Sequence, residues 1–167
     1  RTPFSIDFGV GDVIVPKQEK RKIPTQLDDF ASPTVNTYSL ETTIAEKLDA
    51  ILDLMEFSSR MKDYYDIYYL ANKFDFDGAT LTKSLKKTFE NRGHAFTIEQ
   101  FEQVMAFAEN DAMQKKWKAF CRKIDTKTAD FNTVLKTIKE FLVEPFMAAV
   151  ENKEFEEKFT TLESKWH

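Results

Sequence analysis

At 167 residues, 42% of them hydrophobic and 14% aromatic, the chain is long enough to bury a core as one domain, or as one domain plus a fragment. Its formal charge of -4 excludes a global basic field that would draw it onto nucleic acid or an anionic membrane, and a single cysteine, Cys121, excludes an intrachain disulfide. With only His94 and His167 it lacks the clustered ligands of a zinc site, and no apolar run is long enough to span a bilayer, so a reducing, cytoplasmic setting is expected.

The chain opens on RTPFSIDFGV without a methionine, like the middle of a structure, and a fragment is expected. Phe4, Ile6 and Phe8 alternate with Ser5, Asp7 and Gly9, and after Gly11 and Asp12 come Val13, Ile14 and Val15, stopped by Pro16. The pattern predicts two short strands and a turn, belonging to a larger sheet because a lone ribbon is marginal in water. The KQEKRK run with Pro24 and Pro33 reads as an extended connector as far as Asn36.

Ser39 then offers a capping oxygen, and Leu40, Ile44, Leu48, Ile51, Leu52 and Met55 recur at helical steps. Ser58 and Ser59 end that helix, and a second runs from Met61 to Ala71. A third carries Leu81, Leu85 and Phe89 and ends near Gly93. Thr97 with Gln100 forms a capping box for a fourth, through Phe101, Val104 and Ala108. Trp117, Phe120, Cys121 and Ile124 mark a fifth, and a sixth starts near Asp130 and is broken or kinked at Pro145. Beyond Asn152, the residues Phe155, Phe159, Leu162 and Trp166 fit a last helical face. Few glycines and prolines for this length also favour helices.

Chemistry concentrates on the first two helices. Asp63 and Asp66 are three apart and project from one side of the second helix, where they border the core. Lys47 leans toward Ile44 and Ile51, whereas Glu46, Asp49, Asp53 and Glu56 fall on the wet face. A cation and two carboxylates at one seam can position a phosphate, or orient a hydroxyl and accept its proton. Spacing alone favours a structural ion pair between antiparallel helices, the commoner arrangement. Asp7, on a strand, is a candidate ligand for a catalytic metal, although an aspartate before a glycine turn is more often a turn residue. Two basic clusters, Lys115, Lys116, Lys118, Arg122, Lys123 and Lys127 in one and Lys17, Lys20, Arg21 and Lys22 in the other, could grip a nucleic-acid backbone, with Glu19 diluting the second. The tyrosines of the second helix could stack on bases but at helical spacing read as packing residues.

Three pieces in order, IDFGVGD with Pro16, YSLETTIAEKL, and RMKDYYDIYYL followed by LKKTFENRG, resemble the AbiEii/AbiGii toxin family of nucleotidyltransferases over roughly Phe4 to Gly93. The resemblance implies a polymerase-β-like nucleotidyltransferase core followed by a helical domain, using magnesium and a nucleoside triphosphate to modify an acceptor, in some relatives the 3′ end of tRNA. It matches Asp7 to a metal-binding carboxylate, Lys47 to the lysine of an AEKL motif, and Asp63 and Asp66 to a KD-x-x-D motif, with Arg60 and Lys62 beside them as nucleotide-binding groups. The family's glycine-serine motif and paired D-x-D carboxylates would lie before Arg1. The polypeptide alone is therefore expected not to transfer nucleotides.

The expectation is a mainly α (α+β) fold in two parts. Residues 1–38 hold the last strands of the catalytic sheet and a connector, and residues 39–167 form a helical bundle. The expected partners are a nucleoside triphosphate, a tRNA acceptor and a cognate antitoxin, with no membrane. The rival reading is a non-catalytic helical interaction domain whose ion pair is purely structural.

Overall fold

Ser39 accepts the backbone N–H of Thr42 through its hydroxyl at 3.1 Å and so starts α1 (Leu40–Leu54) where the sequence places it. The computed structural model describes residues 11–124 and 129–167. It continues with α2 (Met61–Ala71), α3 (Gly78–Arg92), α4 (Ile98–Met105), α5 (Asp111–Lys123) and α6 (Phe131–Glu151). The short strands are β1 (Glu19–Lys22), β2 (Thr34–Thr37), β3 (Phe76–Asp77), β4 (Lys158–Thr160) and β5 (Lys165–Trp166). The mainly helical class is as expected. The strand expected over Phe4 to Phe8, and Asp7 within it, lie outside the described residues.

Helix boundaries follow local chemistry. Asp77 caps α3 through Thr80, Asp130 caps α6 through Thr133, and Thr97 and Gln100 form the reciprocal capping box of α4. At the far end of α3, Gly93 adopts φ 70°, a left-handed conformation that costs glycine little, and turns the chain back on itself. α1 packs against α2, α3 and α4, and α6 against α2, α3 and α4, closing one core. That core holds Ile44, Leu48 and Ile51 of α1, Leu81 and Leu85 of α3, and Phe101, Phe141 and Phe146 from α4 and α6. Burial of each such side chain contributes roughly 1.5–3 kcal/mol, so the aromatic content accounts for how so small a bundle holds together.

Four expectations need correction. Val13 to Val15 is not a strand. The N–H of Val15 donates to Thr42 Oγ1 at 2.9 Å and its carbonyl accepts from the same hydroxyl at 3.0 Å and from Ser39, so side chains at the start of α1 replace a strand partner. The connector contains an antiparallel hairpin, β1 on β2, in register from Glu19↔Thr37 to Lys22↔Thr34. Nearly every residue of this ribbon is exposed on both faces, so it leaves no alternating pattern to read.

Of the break or kink expected at Pro145, the break is absent, since α6 continues through that residue to Glu151. A proline frees the carbonyl four residues earlier, here Phe141, and the indole N–H of Trp166 donates to that oxygen at 3.0 Å. The tail that supplies the indole is not helical. Asn152 ends α6 at φ 56°, and the chain then adds β4 and β5 to β3 as a three-stranded sheet. Phe159 and Trp166 pack on Phe141, with ring centroids 4.8 and 5.9 Å away, while Leu162 is exposed.

A double-mutant cycle checks the Pro145 account. Trp166→Phe keeps an aromatic ring but orphans the Phe141 carbonyl and should cost about 1–2 kcal/mol by urea denaturation. In a Pro145→Ala background, where a backbone N–H returns to that carbonyl, the same change should cost measurably less; equal costs would refute the account.

Candidate functional site: a lysine between two aspartates

Helix α1 brings charge to two of its sides, because residues two apart on a helix point in nearly opposite directions. On the α2 side, Lys47 Nζ lies 3.0 Å from Asp63 Oδ1 and 2.7 Å from Asp66 Oδ2. Asp63 and Asp66 are less than a turn apart on α2, so both carboxylates reach one ammonium. Arg60 Nε lies 2.8 Å from the other oxygen of Asp63, and Lys62 pairs with Asp66 one turn along. Asp63 is 5% exposed and Lys47 18%, so the central pair is largely withdrawn from water while Arg60 and Lys62 reach solvent. Five residues singled out in the sequence thus form one cluster.

Burial alone would pull the Lys47 ammonium down, but the hydrogen bonds and negative charge of Asp66 and Asp63 outweigh it and hold the group above the ordinary lysine range. Lys47 is therefore a fixed cation at neutral pH and not a proton acceptor. The stability that its raised pKa contributes is complete below the unfolded value of about 10.4 and is lost as pH rises through the folded one. An ammonium has three donors, and two are directed at the aspartates, which leaves one for a ligand.

A cleft of about 230 Å³ is lined by Tyr38, Thr43, Lys47, Arg60, Asp63 and Arg92, among others. The entry to α2 that carries Arg60 is held from a distance. Lys116 Nζ on α5 donates to the carbonyls of Glu56 at 2.8 Å and Ser58 at 3.0 Å, and Ser58 Oγ accepts the backbone N–H of Arg60 at 3.1 Å. A lysine on exposed carbonyls at the end of a helix complements its dipole.

On its other side α1 buries Asp49, which corrects the placement of that residue on the wet face. Its side chain is 1% exposed, with Oδ2 at 3.0 Å from Arg92 Nη1 and Oδ1 at 2.8 Å from His94 Nδ1. Arg92 also pairs with Glu46, which is likewise mostly covered. Burial pushes the Asp49 carboxyl up, and the bond and charge of His94 only partly counter it. The Gly93 turn at the end of α3 is what aims His94 at α1. Asp49 shares a helical row with Ala45, Leu48 and Leu52, and that spacing is the signal that marks it as inward-facing.

The chain's D-x-D tripeptide, Asp75-Phe76-Asp77, is taken up by structure. Asp75 accepts the backbone N–H of Thr161 at 2.8 Å, and Asp77 caps α3. No group of three or more His, Cys, Asp or Glu among the described residues could hold a metal ion. Asp63 and Asp66 do not fit one either, because cations already face their carboxylates. No step is therefore assigned to magnesium, and the expected ligand Asp7 is outside the described residues. No described helix is long and apolar enough to cross a membrane.

The fold and the site together define a helical bundle that keeps a permanent cation, clamped by carboxylates, in the wall of a cleft. Residues 1–153 match the family of the nucleotidyl transferase AbiEii toxin of type IV toxin–antitoxin systems, and the chain belongs to that family. No curated protein and no solved structure matches it significantly.

The Asp49 network should respond asymmetrically to substitution. Asp49→Asn leaves Arg92 and His94, both partly exposed, free to turn to water and should cost about 1–2 kcal/mol. Arg92→Ala with His94→Ala strands a buried carboxylate and should cost about 3 kcal/mol or more in urea denaturation at pH 7.

Proposed function

We propose that the cluster of Lys47, Asp63 and Asp66 is the phosphate-handling half of a nucleotidyltransferase site, with a nucleoside triphosphate as donor and an RNA end, such as the 3′ end of tRNA, as acceptor. The observation that carries this reading is the placement of Lys47. Its ammonium is held by two aspartates of the next helix, and the cleft beside it also receives Arg60 and Arg92. A purely structural ion pair has no need of a cleft with further cations from separate elements.

In this reading Lys47 contacts the donor phosphates, and its charge, fixed at neutral pH, offsets negative charge that builds on them during transfer. Asp63 and Asp66 keep the ammonium in place, so little reorganisation accompanies substrate binding. Arg60 lies at the cleft with a flexible, solvent-reaching guanidinium suited to a second phosphate contact, and Lys62 acts one turn away by holding Asp66. The division at residues 38 and 39 belongs to the same reading. It separates the part that contributes Asp7 from the bundle that contributes Lys47, and Tyr38, at the junction, lines the cleft. Family membership supports a cytoplasmic toxin with a cognate antitoxin as its partner.

The test is Lys47→Ala in the protein as its host encodes it. Arg60 remains paired with Asp63 and Lys62 with Asp66, so the variant should fold, at a cost of about 1–3 kcal/mol, while growth inhibition and labelled-nucleotide incorporation into bulk tRNA disappear. A variant that fails to fold by circular dichroism, or one that folds and stays toxic, would return Lys47 to a structural role.

A further inference from the structure

The outer face of α5 carries Lys115, Lys118 and Arg122 at steps of three and four, all exposed, while Met113 and Trp117 on the opposite face are buried. The only carboxylate on α5 is Asp111, at its N-terminus. On a chain of net charge -4 this face is cationic, with Asp130 the carboxylate that shares a cleft with Lys118 and Arg122. Neighbouring helix α2 presents Lys62, Tyr65 and Tyr69 along one row. Tyr65 meets Phe120 of α5 with ring centroids 5.9 Å apart and lies 6.4 Å from Tyr69, nearly parallel to it. Tyr69 is 49% exposed, unlike Tyr64 in the core.

We propose that the outer face of α5 and the adjoining row of α2 form a docking surface for an unpaired RNA strand, with the α5 cations on its phosphates and Tyr69 stacked on a base. The proposal rests on the reading of the chain as a nucleotidyltransferase with an RNA acceptor, and it locates that acceptor. A run of cations for the phosphates and an exposed aromatic ring on which a base can stack are what single-stranded nucleic acid requires. On the α2 row, Lys62 pairs with Asp66, the aspartate that also holds Lys47. Lys116 of α5, bonded to the carbonyls of Glu56 and Ser58, fixes this helix beside the loop that leads into Arg60. The hairpin is a poorer candidate. Its Arg21 is paired with Glu19, and Asp28 and Asp29 occupy its tip.

The experiment is fluorescence anisotropy of the full chain with a labelled RNA hairpin bearing an unpaired 3′ tail, over a range of salt concentrations and without nucleotide. Lys115→Glu, Lys118→Glu and Arg122→Glu together should lower affinity at least tenfold and flatten the slope of log Kd against log salt by about 2. Tyr69→Ala should lower affinity about fivefold or more. Lys20→Glu with Lys22→Glu should leave binding unchanged. Absence of binding by the parent chain, parental affinity in the α5 variant, or loss confined to the hairpin variant would each overturn the proposal. So would an α5 variant that keeps RNA but loses a polyglutamate probe, which would assign the face to an acidic protein. Because no triphosphate is present, failure of the catalytic reading leaves these outcomes intact. Conversely, transfer activity that persists in the α5 variant would remove the surface and spare the reading.

Discussion

Burial of charge on two sides of α1 is the constraint around which the bundle is organised. Lys47 and Asp49 are both withdrawn from water on a helix whose other buried residues, Thr42 apart, are aliphatic, and an unpaired charge there would cost several kcal/mol. Each is therefore matched from a different neighbour, Lys47 by α2 and Asp49 by the end of α3. Apolar packing alone tolerates sliding and rotation of helices, whereas two directional ion clusters of opposite sign fix the rotation of α1 against both neighbours at once.

The two clusters differ in their access to solvent. The Asp49 side is closed by Arg92 and His94, and the Lys47 side opens on a cleft. Elements remote in sequence serve that opening. Lys116 of α5 steadies the turn before Arg60, and Arg92 contributes its guanidinium to both sides, pairing with Glu46 and Asp49 while lining the cleft. A cation kept charged by its aspartates suits electrostatic stabilisation of phosphate better than proton transfer, which is the role that membership of a nucleotidyltransferase toxin family leads one to look for.

What was legible in the sequence was local. Ser39, the Thr97 and Gln100 capping box, and the Met61–Ala71 helix could be read because the signal and the structure lie within a few residues of each other. The inward lean of Lys47, Asp63 and Asp66 was visible in their helical rows, and the structure brings them into contact. The features that escaped depend on distant partners. Pro145 reads as a helix breaker until Trp166, far along the chain, supplies a donor to Phe141. Asp49 is different: its row with Ala45, Leu48 and Leu52 marks it locally as inward-facing, and only its charge reads as a surface acid. The ribbon of β1 and β2 escaped for the opposite reason: it buries almost nothing, so no periodicity records it.

The most direct measurement is a crystal structure of the protein, as its host encodes it, with a non-hydrolysable nucleoside triphosphate. The account predicts a phosphate oxygen within hydrogen-bonding distance of Lys47 Nζ, at about 3 Å, with Asp63 and Asp66 still holding the ammonium. A bound triphosphate that leaves Lys47 sealed between its carboxylates, with no phosphate at the cleft, would contradict it.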